Sequence, residues 1–407
     1  MRLRGWAWLA LSSVSIAPLA GETRPRYGGT LTVEAAALAV TVFEALVRVD
    51  SRGQVQPALA VAWQHDPDFK RWRFSLRSKV VFHDGEPLTA ASAVPSLLAA
   101  LKQKYPNVAI EAGGQALLIK SAQPMPNLLE DLAGAGIRRA TDVGTGPFRI
   151  AARDTFTAFE DYWGGRPYLD TVIIQNSARG RADIIDLPVG PSRRIVPEGW
   201  TIWSSVPKTL VAIEGRNVDA NLLKALALAI DRAPIANVLA QHKAEPAFGL
   251  LPQWLSGYEF LFQSTPDLAR AKQMVAQLRA AAVSIIAPAN DPFLRSVAER
   301  IALNARDAGI AIQIKAAGDL RLLDLPLDST DADEDLEHLA RELQVDRPQL
   351  DHITPEALYQ FERSMIEDRH IIPLLHLRDS YAISPKVHIP PAADMFSLHL
   401  EDAWVQP

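Results

Sequence analysis

The strongest constraint on the fold is an apolar helix pattern that leads through a glycine into an alternating strand. Residues Phe293 to Ala308 have helical character, and Gly309 ends that helix. Ile310, Ile312 and Ile314 then place an apolar side chain at every second position, which is the period of a strand. A helix, a tight turn and a strand in this order indicate an α/β fold.

Length and composition suggest more than one lobe. A chain of 407 residues exceeds what one hydrophobic core usually supports, so two or three lobes are expected. The formal net charge of −5 argues against a nucleic-acid-binding protein, which would need a basic face. The chain has no cysteine, which excludes disulfides, thiolate metal ligands and a cysteine nucleophile.

The first 21 residues have the pattern of an export signal. Arg2 and Arg4 form a basic start, Trp6 to Ala20 is apolar, and Gly21 follows. This segment is too short for a typical spanning helix. We therefore expect residues 1–21 to be a signal peptide and the protein to be periplasmic. An uncleaved leader that anchors the protein has the same sequence pattern and stays open as an alternative.

Periodicity predicts several further elements. The predicted strands are Arg71 to Leu76, Ala116 to Ile119, Val172 to Ile174 and Ile371 to Leu377. The predicted helices are Thr89 to Lys102, Asn127 to Ala133, Asn221 to Arg232, Pro266 to Leu278 and Pro355 to Asp368. Helices and strands that alternate in this way extend the α/β prediction to most of the chain.

An apolar strand followed by a cluster of acids, from Asp319 to Leu336, is the principal candidate for a site. One interpretation is structural: Ser329 or Thr330 caps a helix, and the acids fill its first turn, where the helix dipole favours them. The other interpretation is that these carboxylates face a cleft and bind a ligand. A calcium loop is disfavoured because Leu336 occupies the position that requires glycine.

Other chemistry is hard to find in the sequence. The nine histidines show no metal-ligand spacing, and no catalytic set can be identified. We therefore predict no enzyme activity, metal or cofactor. Trp203 and Trp254 are candidates to stack on a ligand, although tryptophans more often serve in packing.

The order of several motifs resembles the family of extracellular solute-binding proteins that includes the dipeptide- and oligopeptide-binding proteins of ABC importers. The motifs are WRFSLR at 72–77 with FHDG at 82–85, GTGPFRI at 144–150, YWGGRPYLDTV at 162–172 and ALALAIDR at 225–232. The resemblance implies an α/β, two-lobe periplasmic binding protein fold (type II, cluster C-like) with an extra subdomain in lobe I. It also implies a small-molecule or peptide ligand and a membrane permease as partner. A monomer is the default expectation, and the net negative charge predicts that the chain binds no nucleic acid.

The resemblance also implies boundaries and a ligand contact. The lobe I core would comprise residues 22–45, 140–215 and 375–407, the extra subdomain residues 46–139, and lobe II residues 216–374. Asp328 stands where peptide-binding members pair an aspartate with the ligand's α-amino group. We expect Asp328, Asp331, Trp203 and Trp254 to bind ligand.

The sequence departs from the family pattern near the expected cleft. The segment after Val33 is short, and Asp324-Leu325 replaces a Gly-Trp pair. A second hypothesis is therefore a pruned scaffold that acts as a periplasmic interaction or sensor module without transporting a small ligand.

Overall fold

The computed structural model describes residues 24–34, 40–50, 54–175, 182–190, 194–216, 218–278, 282–327, 329, 331–348, 353–390 and 398–406. The strands in these ranges are β1 (Thr30–Glu34), β2 (Val47–Val49), β3 (Val55–Pro57), β4 (Ala60–His65), β5 (Arg71–Leu76), β6 (Ala109–Gly113), β7 (Ala116–Lys120), β8 (Phe148–Ala152), β9 (Thr155–Ala158), β10 (Thr171–Ile174), β11 (Ile184–Asp186), β12 (Thr201–Ser204), β13 (Thr209–Gly215), β14 (Ala244–Pro246), β15 (Ala282–Ile286), β16 (Ala311–Lys315), β17 (Leu320–Pro326), β18 (Ile371–Leu377), β19 (Ser380–Ile383), β20 (Val387–His388) and β21 (Trp404–Val405).

The helices in the same ranges are α1 (Ala90–Leu101), α2 (Leu128–Ala133), α3 (Ala220–Ala229), α4 (Arg232–Pro234), α5 (Gln253–Ser256), α6 (Leu268–Val275), α7 (Pro292–Asp307), α8 (Ala332–Glu342) and α9 (Pro355–Asp368). A π-helix spans Ile235–Leu239, and 3-10 helices span Glu259–Phe262 and Leu400–Asp402. None of the helices in the described part of the chain is both long enough and apolar enough to cross a membrane.

The first lobe is built on a seven-stranded sheet with the strand order β12-β19-β11-β1-β10-β9-β8. Strand β1 lies at its centre and pairs in parallel with both β10 and β11. Leu31 and Val33 of β1 have no exposed surface and belong to the core of this lobe. The parallel strands β1, β10 and β11 therefore all end at the same edge of the sheet.

The second lobe is built on a six-stranded sheet with the strand order β14-β18-β13-β17-β15-β16. Successive residues of β13 alternate between two cores: Val211 and Ile213 pack with α3, α6 and α7, whereas Leu210 and Ala212 pack with α8 and α9. Because both faces of the sheet are covered, its central strands are apolar at nearly every position.

A four-stranded antiparallel sheet, with the order β4-β5-β7-β6, packs against α1 and α2. Trp72, Phe74 and Leu76 of β5 are buried, and the residues between them are exposed. Thr89 caps α1 with its side chain, and Pro95 lies inside the helix. This sheet has a hydrophobic core of its own, distinct from the cores of the two larger sheets.

Most of the predicted elements have the expected bounds. The structure confirms the strands Arg71–Leu76 and Ile371–Leu377 and the helix Pro355–Asp368. The prediction of a helix to Arg232 is wrong, because Ile230 has an extended backbone that ends α3 at Ala229. A short new helix then begins at Arg232.

Sheet membership moves two of the expected lobe boundaries. Strand β13 pairs with β17 and β18, so the chain enters the second lobe before residue 209 and not after residue 215. Strand β18 continues this sheet to Leu377, so the chain leaves the second lobe after that residue and not after residue 374. Apolar strands of both lobes look alike in sequence, and only their pairing assigns them to a sheet.

A buried glutamate anchors the loop that leads to Trp254. Glu362 on α9 has no exposed surface, and its Oε1 accepts the backbone N–H groups of Leu250 (2.5 Å) and Leu251 (3.2 Å). A Cβ at Gly249 would lie 2.7 Å from the same oxygen, so glycine allows the close approach. Burial raises the pKa of Glu362 from its usual value of 4.5 to about 7.

This raised pKa predicts a pH-dependent stability. Between pH 4.5 and about 7, the unfolded chain releases the Glu362 proton whereas the folded chain retains it, so the free energy of unfolding falls as pH rises through this window. Glu362→Gln should remove this fall. We would measure chemical denaturation from pH 4.5 to 7.5, with the exposed Glu356→Gln on the same helix as the control. Parallel pH profiles for Glu362→Gln and wild type would contradict the prediction.

Candidate functional site

Two short connections join the lobes and lie side by side. Residues 205–208 link β12 to β13, and residues 378–379 link β18 to β19. The Ser205 nitrogen donates to the Asp379 carbonyl at 2.9 Å, and the Asp379 nitrogen donates to the Ser205 hydroxyl at 3.0 Å. Lys208 Nζ lies 2.7 Å from the Asp379 carboxylate. Short paired connections between two lobes are where hinge motion concentrates.

The two candidate tryptophans flank these connections. Trp203 on β12 stacks against Tyr381 on the neighbouring β19, with the ring centroids 5.8 Å apart. Trp254 on α5 donates its indole N–H to the Pro207 carbonyl at 2.8 Å. The structure thus places Trp203 on the first-lobe side of the hinge and Trp254 on the second-lobe side. Their contact with a ligand stays a prediction.

Charged side chains gather where the parallel strands β1 and β11 end. Glu34 is the last residue of β1 and Asp186 the last of β11. Arg194 donates to the buried Glu34 carboxylate at 2.6 Å. Burial raises the pKa of Asp186; the positive charges of Arg194 and Lys243 oppose this shift, and the Asp379 carboxylate adds to it. Ligands of open α/β sheets bind beyond the carboxyl ends of parallel strands, so this edge is the first-lobe wall of the candidate site.

The chain that follows β11, residues 187–190, leaves the first-lobe sheet and docks on the second lobe; we call it the interlobe strap. Lys243 Nζ donates to the first two carbonyls of the strap at 2.9 and 3.1 Å. Gln241 Nε2 donates to its last carbonyl at 2.8 Å. Three side-chain hydrogen bonds from the second lobe therefore hold a segment that begins directly after Asp186.

Packing reinforces these hydrogen bonds. Val189 packs against the second-lobe core. Gly190 has a left-handed backbone (φ +123°), and a Cβ there would lie only 3.0 Å from the Cβ of Phe293 near the start of α7. Helix α7 begins shortly after the carboxyl end of β15 in the second-lobe sheet. The strap therefore connects the carboxyl edge of the first-lobe sheet to the carboxyl edge of the second-lobe sheet.

The turn that supplies the strap's partners is strained. Gln241 and His242 are consecutive non-glycine residues in the left-handed region, with φ values of 53° and 61°. They follow the π-helix at residues 235–239, a rare element that often accompanies functional sites. Strained backbone of this kind persists where the surrounding structure compensates for it. Here the turn presents Gln241 and Lys243 to the strap.

Several acids of the segment from Asp319 to Leu336 lie at the start of helix α8. Asp331 is the N-cap of α8 and accepts the Asp333 backbone N–H at 2.8 Å. The prediction that Ser329 or Thr330 caps this helix is wrong: the Ser329 hydroxyl donates to Glu334 at 2.8 Å and accepts the Asp331 N–H. Thr330 and Asp328 lie outside the described residues. The expected acidic first turn is confirmed at residues 333–335.

Asp331 also faces the four-stranded sheet's helices. Burial is the main cause of the raised pKa of Glu130 on α2, and repulsion from the Asp331 carboxylate adds to it. The Glu334 carboxylate similarly interacts with Lys104 and Asp131 beside α1 and α2. Asp331 therefore lies where α8 approaches α2, whereas the two tryptophans lie at the hinge.

Sequence reasoning missed Glu34, Asp186, Arg194 and Lys243. A signal was present for the first two, because each carboxylate comes directly after an apolar stretch that forms a parallel strand. Arg194 and Lys243 had no comparable signal, since each reaches the site from a loop whose path depends on tertiary packing. Among the described residues, no group of three or more His, Asp and Glu side chains could hold a metal ion.

The chain is similar to bacterial solute-binding proteins. The family model of the bacterial extracellular solute-binding proteins, family 5, matches residues 54–183 and 216–338. The nickel-binding protein NikA of Staphylococcus aureus is 25% identical over 354 residues, which are 77% of this chain and 69% of NikA. The periplasmic oligopeptide-binding protein OppA of Haemophilus influenzae is 24% identical over 353 residues, which are 69% of this chain and 63% of OppA.

Solved structures confirm the predicted two-lobe periplasmic binding protein fold. The structure of NikA from Brucella suis in complex with Fe(III)-EDTA superposes with a TM-score of 0.75 over 93% of this chain and 100% of that one, at 18% identity. An identity this low supports a shared fold and leaves the ligand open.

The strap yields a stability prediction. Replacing Lys243 by Met keeps the aliphatic stem but removes two hydrogen bonds from a charged donor, so the free energy of unfolding should fall by about 1–3 kcal/mol. Urea denaturation would measure the change. Lys272→Met, at an exposed position on α6, is the matched control and should change stability little. Equal stability of the two variants would show that the strap contacts contribute nothing.

Proposed function

Because this chain belongs to the bacterial extracellular solute-binding proteins of family 5, we propose that it binds a peptide-like or other small polar solute between its two lobes and delivers it to an ABC importer. The relatives it matches are named as nickel- and oligopeptide-binding proteins and not as enzymes. The proposed role is accordingly binding and not catalysis.

The observation that supports this proposal is the convergence of strand ends and hinge in one place. The carboxyl ends of β1 and β11, the strap and the two connections lie together between the lobes. A solute held there touches both lobes at once. It stabilises the closed arrangement by the contacts that only that arrangement provides, which is the basis of a population shift.

The charges of this region suggest how a polar solute is held. Glu34 is paired with Arg194, and Lys208 with Asp379. A polar or charged solute that enters the cleft must replace water with partners of this kind, because an unpaired buried charge is costly. Trp203 and Trp254 beside the hinge would cover apolar parts of the solute.

Asp328 remains the proposed partner of a cationic group on the solute. The residue before it, Leu327, is buried, and its backbone nitrogen donates to the Lys208 carbonyl in the hinge at 2.8 Å. The acidic segment therefore starts at the hinge. Asp331 is proposed as a second contact, although one of its oxygens already caps α8.

Export and assembly complete the proposal. The family is extracellular, and residues 1–21 are proposed as the signal that directs the chain to the periplasm. A monomer is proposed to present its closed, loaded form to the membrane permease. The alternative of a pruned scaffold without a small ligand is less well supported, because the chain matches solute-binding relatives across most of its length.

The test is to isolate the protein from its native periplasm and identify a retained solute by native mass spectrometry. We expect a bound mass that dissociates on denaturation. Asp328→Asn should weaken binding of that solute by about tenfold to a hundredfold, the value of a lost charged hydrogen bond. Asp346→Asn, at an exposed acid beyond α8, is the control.

Two outcomes would count against this account. An empty protein that shows no thermal shift across a panel of peptides and metabolites would favour the interaction-scaffold alternative. If wild type and Asp328→Asn bind the retained solute with equal affinity, the binding function is supported. Asp328 is then not a ligand contact.

A further inference from the structure

A second recess lies away from the hinge, on the four-stranded sheet. It has a volume of about 530 Å³ and is lined by Val61, Leu76, Arg77, Ser78, Lys79, Gln115 and Trp163. This volume is within the range of about 300–1,000 Å³ that is typical of small-molecule sites. The lining combines three apolar side chains with two cations, and the described residues that form it include no carboxylate.

Arg77 is held rigidly at this recess. Its Nε donates to the Ala58 carbonyl at 3.1 Å, and its guanidinium carbon lies 4.0 Å from the centroid of the Trp163 ring. These contacts fix the plane of the guanidinium but leave its two terminal nitrogens without a partner among the described residues. A planar donor pair fixed in this way suits an oxyanion, which accepts two parallel N–H groups.

The indole that supports Arg77 is itself held by a hydrogen bond. Trp163 Nε1 donates to Glu44 at 2.8 Å, and Tyr162 and Thr145 donate to the same carboxylate at 2.9 and 3.0 Å. Glu44 therefore accepts three hydrogen bonds, one of them from the edge of the indole ring. Its charge is satisfied there, so it does not serve as the ion-pair partner of Arg77.

Lys79 supplies the second cation from a strained position. Its φ of +62° is in the left-handed region, where glycine is the favoured residue. Its side chain is exposed and has no ion-pair partner among the described residues. Strain at a non-glycine residue is a reason to look for a function of its side chain. Here the lysine adds a positive charge beside Arg77.

We infer that this recess binds a small organic anion, with a carboxylate or phosphate on Arg77 and Lys79 and an apolar body over Val61 and Leu76. Ser78 and Gln115 also line the recess and would provide further polar contacts. The site is separate from the cleft between the lobes, so its occupation does not depend on the proposed transported solute.

The test uses phenyl phosphate and benzoate as probes of the full-length protein at constant ionic strength. Incorporated 5-fluorotryptophan gives one fluorine resonance per indole, and Trp163→Phe assigns the resonance of Trp163. Both probes should shift this resonance saturably while the Trp203 and Trp254 resonances stay in place. Uncharged benzyl alcohol should shift it only at much higher concentration.

Lys79→Gly is the discriminating variant, because it removes the charge and relieves the left-handed strain, so the fold should be retained. Its dissociation constant for phenyl phosphate should rise by about tenfold, as expected for a lost charge-assisted hydrogen bond. Lys224→Ala, which removes an exposed charge on α3, should bind like wild type.

Three results would overturn the inference. A shift that grows linearly with probe concentration would indicate non-specific contact. Equal affinity of Lys79→Gly and wild type for phenyl phosphate would show that the anion does not bind at this recess. Equal affinity for benzyl alcohol and phenyl phosphate would show that the recess selects apolar rings and not anions.

Discussion

The arrangement of the molecule depends on pairing charges where its two sheets meet. Strand ends bring carboxylates to that boundary, and the cost of burying them is offset only if cations reach them. Arg194 does so for Glu34 and Lys208 for Asp379, while Lys243 combines attraction to Asp186 with hydrogen bonds to the strap. The boundary between the lobes is therefore held by hydrogen bonds and ion pairs, whereas each lobe has a hydrophobic core of its own.

A polar boundary of this kind is suited to motion. Breaking a few hydrogen bonds exposes groups that water can satisfy, whereas separating a hydrophobic interface exposes apolar surface. The lobes share two short connections and the strap, so opening requires backbone rotation at a small number of residues. A solute that contacts both lobes then selects the closed arrangement only to the extent that it binds that arrangement more tightly.

The sequence predicted the regular elements well because their signals are local. The alternation in β5 and the proline-initiated helix α9 are patterns that neighbouring residues determine by themselves. The site was predicted only in part. Trp203 and Trp254 were selected as aromatic candidates, but their place beside the hinge follows from strand pairing and from the Pro207 contact. Arg194, Lys243 and the left-handed turn at Gln241 could not be found, because their roles depend on contacts between segments far apart in the chain.

The most direct test of the two-lobe binding account is small-angle scattering of the purified protein, first stripped of ligand and then saturated with the solute identified from its native periplasm. The account predicts that the radius of gyration decreases on binding, and that the decrease is smaller for Asp328→Asn at the same solute concentration. An unchanged radius of gyration at full occupancy would contradict closure between the lobes as the basis of binding.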